Sequence, residues 1–279
     1  MKNNTIGVIG QGFVGTAIKE GFKDFVEIET YDKFKKSTCE SLEELSSKAE
    51  IIFVCLPTPM KKNGECDLSI VSETIYKLDS YKNNNIAVIK STVLPGTTEK
   101  FNKECNNLQV LFNPEFLTEA NFINDFKNQN RVIIGGPRPG TTKVKNLYRK
   151  CYPAASIIKT GSNTAEMVKY FTNCFLATKV SFSNEIRQIC EKINVDYDKV
   201  VEYGLYDQRI GKTHFSSPGP DGKFGYGGSC FPKDVNALIN FAESVQINPM
   251  VLKSSWNKNL EVRPERDWER LKGRAVSEE

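Results

Sequence analysis

The chain has 279 residues, 39% hydrophobic and 26% charged, enough for two domains of roughly 100 to 200 residues with ordinary cores. Lys and Arg outnumber Asp and Glu by 38 to 34, for a formal net charge of +4. The basic residues are scattered, which argues against a nucleic-acid partner and leaves a small anionic molecule compatible with the surface. No apolar run approaches the roughly 20 residues of a membrane span, and residues 1–4 lead into a strand without the apolar core of an export signal, so the expectation is a cytoplasmic protein with no membrane partner.

In chain order, short β-rich apolar runs fall at 6–9, 26–31, 51–56, 86–89, 110–112 and 131–134. Segments with helical spacing separate several of them, at 13–24, 68–78 and 97–105. Strands alternating with helices predict a mainly parallel, doubly wound sheet. A further strand at 155–159 precedes a different texture. Residues 163–193 contain no Gly or Pro, open on an Asn or Thr cap, and predict one long helix. A Gly- and Pro-rich loop at 211–228 follows, then helices at 232–245 and 249–260. The expected architecture is α/β: an N-terminal Rossmann domain over 1–160, an all-α central domain over 161–260, and a charged tail over 261–279, helical or frayed.

The first strand runs into Gly10-Gln11-Gly12-Phe13-Val14-Gly15 and then a helical pattern. In this GxGxxG turn Gly10 permits the tight bend, Gly12 lets the backbone approach a pyrophosphate, and Gly15 allows close helix packing, with the helix N-terminus facing phosphate charge. The second strand ends at Tyr31-Asp32, where a carboxylate can accept the ribose hydroxyls and repel a 2′-phosphate. The expected cofactor is NAD; Lys33, Lys35 and Lys36 follow at once and leave NADP as the alternative.

The eight cysteines form no CxxC pair and the only histidine is His214, so no metal site is expected. Histidine-based catalysis would rest on His214 alone, a loop residue, so a general base is expected to be a carboxylate. Among the cysteines, Cys230 stands out. Gly227-Gly228-Ser229-Cys230-Phe231-Pro232-Lys233-Asp234 places it between a glycine turn and a helix start, where the helix dipole and Lys233 favour thiolate; a small buried hydrophobe is the alternative. Lys169 and Asn173, four apart on the long helix, share a face on which an ammonium and an amide can stabilise an oxyanion. A solvated stripe is the plain alternative. Phe171, Phe175 and Phe182 read as core or dimer-interface residues.

Six ordered segments, GQGFVG, Cys55-Leu56-Pro57-Thr58-Pro59, Lys90-Ser91-Thr92-Val93, Asn113-Pro114-Glu115-Phe116-Leu117-Thr118-Glu119, the helix 166–185 and GGSCFPKD, make the chain resemble the UDP-glucose 6-dehydrogenase family, within the wider UDP-glucose/GDP-mannose dehydrogenases, through about residue 260. That resemblance implies oxidation of a sugar C6 alcohol to the carboxylate in two steps, consuming two NAD, with the aldehyde held on Cys230 as a thiohemiacetal and then a thioester. It implies general acid/base work for Glu115, a place near the nicotinamide for Glu119, and the ordering of water and catalytic groups by Thr92 and Asp234. Pro57, Thr58, Pro59, Ser91, Thr92 and Lys233 join Gly10, Gly12, Phe13, Val14, Gly15 and Asp32 as cofactor contacts. Glu115, Phe116, Leu117, Lys169, Asn173, Arg209, Phe215 and Gly225 are the substrate contacts.

The same resemblance implies a homodimer built on the long helix, UDP-glucose as first substrate ahead of GDP-mannose and UDP-N-acetylhexosamines, and UDP-glucuronate for polysaccharide biosynthesis as product. A C-terminal nucleotide-binding domain is usual in the family, and the expectation is a chain lacking it. Capping of a helix is the alternative for Asp234, and a turn hydroxyl for Thr92. Two other functions stay open: a single-step β-hydroxyacid-type dehydrogenase, which needs no cysteine, and a nucleotide-binding module without turnover.

Overall fold

The computed structural model describes residues 5–278; the stretch 1–4 read above as leading into the first strand lies outside them. Two compact units divide the chain, Met1–Thr58 with Leu68–Lys169 and Pro59–Asp67 with Tyr170–Glu279.

The first unit is built on seven strands, β1 (Thr5–Ile9), β2 (Glu27–Tyr31), β3 (Ile51–Val54), β4 (Asn85–Ile89), β5 (Leu108–Phe112), β6 (Arg131–Gly135) and β7 (Ser156–Thr160), in the order β2-β1-β3-β4-β5-β6-β7. Every neighbouring pair is parallel except β5 and β6, which meet antiparallel at Phe112 and Gly135. The unbroken apolar runs reflect burial on both faces. Ile52, Val54, Ala87 and Ile89 point into one core layer with Leu45 of α2 (Leu42–Lys48), Ile75 of α3 (Ser69–Ser80) and Phe101 of α4 (Thr97–Glu104). Phe53, Ile86 and Val88 point the other way, onto Phe22 of α1 (Phe13–Phe22), Phe126 of α5 (Phe122–Lys127) and Tyr148 of α6 (Gly140–Cys151).

The predicted strands and long helix are present, the latter as α7 (Ser162–Lys192, 31 residues). By packing, the units divide within α7, after Lys169. The division follows packing: Glu166 is fully buried in the first unit, accepting from Gly96 N (2.8 Å), Thr98 N (2.9 Å) and Thr98 Oγ1 (2.6 Å). It thereby meets unpaired donors at the start of α4.

The second unit contains α8 (Tyr197–Gly204), α9 (Phe231–Ser244) and α10 (Met250–Val262). The stretch expected to be a helical or frayed tail carries a short 3-10 turn at Asp267–Arg270 and is packed. Trp268 and Ala275 are buried, and Met60 exchanges backbone bonds with this stretch, Met60 N to Ala275 O and Ser277 N to Met60 O, both 2.8 Å. The 211–228 loop is pinned by Asn259, which holds Tyr226 N (2.7 Å) and O (3.0 Å), and by Arg263, which donates to Asp221 (2.7 Å), Phe224 O (3.2 Å) and Asp267 (2.6 Å). No helix among the described residues is long and apolar enough to cross a membrane.

Candidate active site

In the first unit the candidate residues gather at the carboxyl ends of the strands. Strand order reverses between β1 and β3, the switch point at which an open α/β sheet has room for a ligand. Gly10 lies there with φ +86°, and a Cβ on it would sit 2.5 Å from Cys55 O; one on Gly15 would sit 1.9 Å from Gly10 O. Both positions therefore demand glycine. Gly12 caps α1 and faces open space: no atom lies within 4 Å of a Cβ built on it, no side chain caps the helix, and no acid occupies its first turn. An anion is the natural occupant of such a terminus.

The Asp32 carboxylate accepts from Gln11 N (2.6 Å), Phe34 N (2.9 Å) and Lys35 N (3.1 Å), which fixes it beside the glycine turn. Lys35 spends its ammonium on Gln11 O (2.7 Å). These residues fit a dinucleotide. Phe13 and Val14 open α1, with the Phe13 ring against Phe122. Thr58 Oγ1 donates to Thr92 O (2.8 Å) and Ser91 Oγ to Leu56 O (2.5 Å), tying the ends of β3 and β4 together. Pro57 and Glu119 are exposed. Pro59 belongs to the second unit.

Glu115 and Lys169 form a buried ion pair. Lys169 Nζ donates to Glu115 Oε1 (2.8 Å) and to Glu115 O (2.7 Å), while Glu115 Oε2 accepts from Leu117 N (2.8 Å). Burial alone would raise the Glu115 carboxyl, but Lys169, the Leu117 amide and Lys90 hold it below the usual carboxylate range. The Phe116 ring lies under Arg131 (4.3 Å) and Lys169 (5.7 Å). A buried, ionised Glu–Lys pair at strand ends can pass protons and stabilise a developing negative charge.

In the second unit Cys230 is the N-cap of α9, half-buried, with Pro232 in the first turn. Asp234 is buried and bridges two neighbours, accepting from Asn173 Nδ2 (2.6 Å) and from Lys233 Nζ (2.5 Å). The sequence alternative for Asp234, simple capping, is not what its side chain does. Burial pushes the Lys233 ammonium down, yet Asp234 above all, with Cys230 and Cys66, keeps it above the usual lysine value. A stable cation thus stands in the field of Cys230, as thiolate chemistry requires.

Other expected contacts lie differently. The Arg209 side chain is 88% exposed and paired with its neighbour Asp207 (2.5 Å). Phe215 carries the Lys179 ammonium over its ring (4.2 Å). Gly225 is buried at φ +67°, where a Cβ would strike Asn259 at 2.4 Å; its present task is packing. His214 Nδ1 is buried without a hydrogen-bond partner among the described residues, and burial lowers the ring's pKa. Phe171, Phe175 and Phe182 are 68%, 56% and 57% exposed, so they are not core in this chain.

Lys90 and Asn113, which stand in the quoted segments without a role there, lie beside this ion pair as well. The available signal was a lysine ending the apolar run Ile86 to Ile89. Lys90 Nζ donates to Asn113 Oδ1 (2.9 Å) and Pro114 O (3.5 Å), and Tyr148 OH donates to the same Asn113 Oδ1 (2.7 Å).

Comparison with known proteins shows the family. Residues 18–152 match the NAD binding domain of the UDP-glucose/GDP-mannose dehydrogenase family, and residues 163–261 match its central domain. The chain is 35% identical over 254 residues to UDP-glucose 6-dehydrogenase YwqF of Bacillus subtilis, covering 85% of this chain and 56% of the relative. It is 37% identical over 236 residues to UDP-glucose 6-dehydrogenase of Rickettsia bellii, covering 78% and 51%. The chain thus spans about half the length of the curated relatives it matches. Among solved structures, a UDP-glucose dehydrogenase from Pyrobaculum islandicum superposes with TM-score 0.84 at 28% identity, over 96% of this chain and 70% of that one. A 3-hydroxyisobutyrate dehydrogenase from Mycobacterium tuberculosis, at 13% identity and TM-score 0.74 over 94% of each chain, shares the fold.

Proposed function

Because the chain belongs to the UDP-glucose/GDP-mannose dehydrogenase family, we propose that it oxidises the C6 alcohol of a sugar nucleotide, UDP-glucose first among them, to the carboxylate in two NAD-dependent steps. The observation that supports this most is Cys230 at the head of α9 beside Lys233, since a nucleophilic thiol has no task in a single oxidation.

Gly10, Gly12, Gly15 and Asp32 would hold NAD, which when bound would supply the hydride acceptor for both oxidations. Glu115 takes the C6 hydroxyl proton through water that Thr92 and Asp234 order, and the Lys169 ammonium and Asn173 amide stabilise the oxygen as its charge grows. Cys230 adds to the resulting aldehyde, forming the C–S bond of a thiohemiacetal. The second oxidation leaves a thioester. Glu115 then activates the water that attacks it, and the Cys230 thiolate departs. The product, a uronate such as UDP-glucuronate, is of the class consumed in polysaccharide synthesis; NAD and sugar nucleotides are cytoplasmic metabolites, the ground for placing the reaction there.

Two expected results arise here. The Asp32 carboxylate repels a 2′-phosphate, so NAD should bind at least about tenfold more tightly than NADP, measured as dissociation constants by cofactor fluorescence; equal affinities would show that the neighbouring lysines dominate. The exposed Phe171, Phe175 and Phe182 face is proposed to be covered by a second copy of the chain. Light scattering at micromolar concentration should then report twice the 31.5 kDa chain mass, and an active monomer would refute the dimer.

A further inference from the structure

β4 is buried along its whole length, and Lys90, the next residue, is only 4% exposed. Burying an ammonium is costly unless something needs the charge. Its hydrogen bonds do not supply that need. Both acceptors are neutral, the contact to Pro114 O is long at 3.5 Å, and Asn113 Oδ1 keeps the Tyr148 hydroxyl at 2.7 Å without it. Asn113 Nδ2 is held independently by Ile133 O at 2.7 Å. A methionine of similar length would fill the same space and orphan no side chain.

The charge itself has a partner set. Around Lys90 stand Cys55 after β3, Asn113 and Glu115 after β5, Tyr148 on α6 and Lys169 on α7. Burial keeps the Cys55 thiol neutral, pushed up to about 12, and raises the Tyr148 hydroxyl well above its usual value. Glu115 is the carboxylate of the group, and Lys169 already matches it in a 2.8 Å ion pair. Lys90 is therefore the surplus cation.

We propose that Lys90 is a positioning residue whose buried ammonium acts through Glu115 and Lys169, holding Glu115 ionised and leaving the pair one positive charge in excess where an oxyanion develops. This rests on the reaction proposed above. Burial lowers Lys90 to about 8, so the surplus charge is present at neutral pH and disappears as pH rises through that value.

The test uses the full chain with Lys90→Met and Lys90→Arg. Carbon-13 NMR of the Glu115 carboxyl, without substrate, should show its titration midpoint raised by about half a pH unit or more in Lys90→Met and unchanged in Lys90→Arg. The rate of the first oxidation should fall about tenfold or more in Lys90→Met with KM little altered. Its decline above pH about 8 should be lost in that variant and displaced upward in Lys90→Arg. Melting temperature should hold or rise in Lys90→Met. An unmoved Glu115 midpoint with a lowered melting temperature would make Lys90 merely structural and overturn the proposal. The titration decides this even if the wild-type chain oxidises no sugar nucleotide, an outcome that would refute the reaction instead.

Discussion

Replacing Cys230 with Ser should cut formation of free uronate by about a thousandfold or more, while leaving the fold and NAD binding intact. Serine is a good residue at the N-cap position that Cys230 occupies, so the variant should be at least as stable as the wild type. The first oxidation needs no thiol and should continue. The second requires a tetrahedral adduct, and a serine adduct would leave an ester whose alkoxide departs poorly, so a covalent sugar species should accumulate and be visible by intact mass. Cys230→Ala should lose both the adduct and the second oxidation. Two NADH per sugar from either variant at the wild-type rate would rule out covalent catalysis by Cys230.

Lys169→Met is expected to lose both stability and turnover. Removing one member of a buried ion pair costs about 3 to 5 kcal/mol when the other charge is stranded, and losing an oxyanion donor costs about 10²–10³ in kcat. The stability loss should carry a pH signature. In the wild type Glu115 is held below its unfolded value of 4.5, so its contribution is complete above that pH and fades as pH falls through the folded value. With only the Leu117 amide and Lys90 left to oppose burial, Glu115 is expected to titrate above 4.5 in the folded variant. The native variant then holds a proton that the unfolded chain releases, so its deficit relative to wild type should grow as pH rises above 4.5. Thermal melting of both proteins at pH 5 and pH 7 measures this. A deficit equal at the two values would mean that Glu115 stays ionised without its partner.

Residues with local signatures were legible from the sequence. The inner strands of the first unit, β1 and β3 to β6, show themselves because burial on both faces favours apolar runs, as at Ile86 to Ile89, and the glycine turn shows itself because Gly10 and Gly15 admit no Cβ. Several helices did not. α2 has seven residues and α5 six, too short for periodicity to accumulate, and α6 opens on Gly140-Thr141-Thr142, poor helix formers. Non-local pairings were beyond reach as well. Nothing near Met60 announces that it pairs with Ala275 and Ser277, and a charged composition concealed Trp268, which anchors the supposed tail. The reversed entry of β6 beside β5 has no sequence mark either. In the candidate site the shared face of Lys169 and Asn173 and the helix start at Cys230 pointed to chemistry, and Glu115 came from the family resemblance, but charged neighbours such as Lys90 beside Glu115 and Asp234 beside Lys233 emerge only from packing.

The central claim is a double oxidation at one carbon, and product stoichiometry tests it most directly. Purified chain with excess NAD and limiting UDP-glucose should yield two NADH for each UDP-glucuronate, with no free aldehyde. One NADH per sugar, with the aldehyde as product, would contradict it and leave a single-step dehydrogenase in which Cys230 has no chemical part.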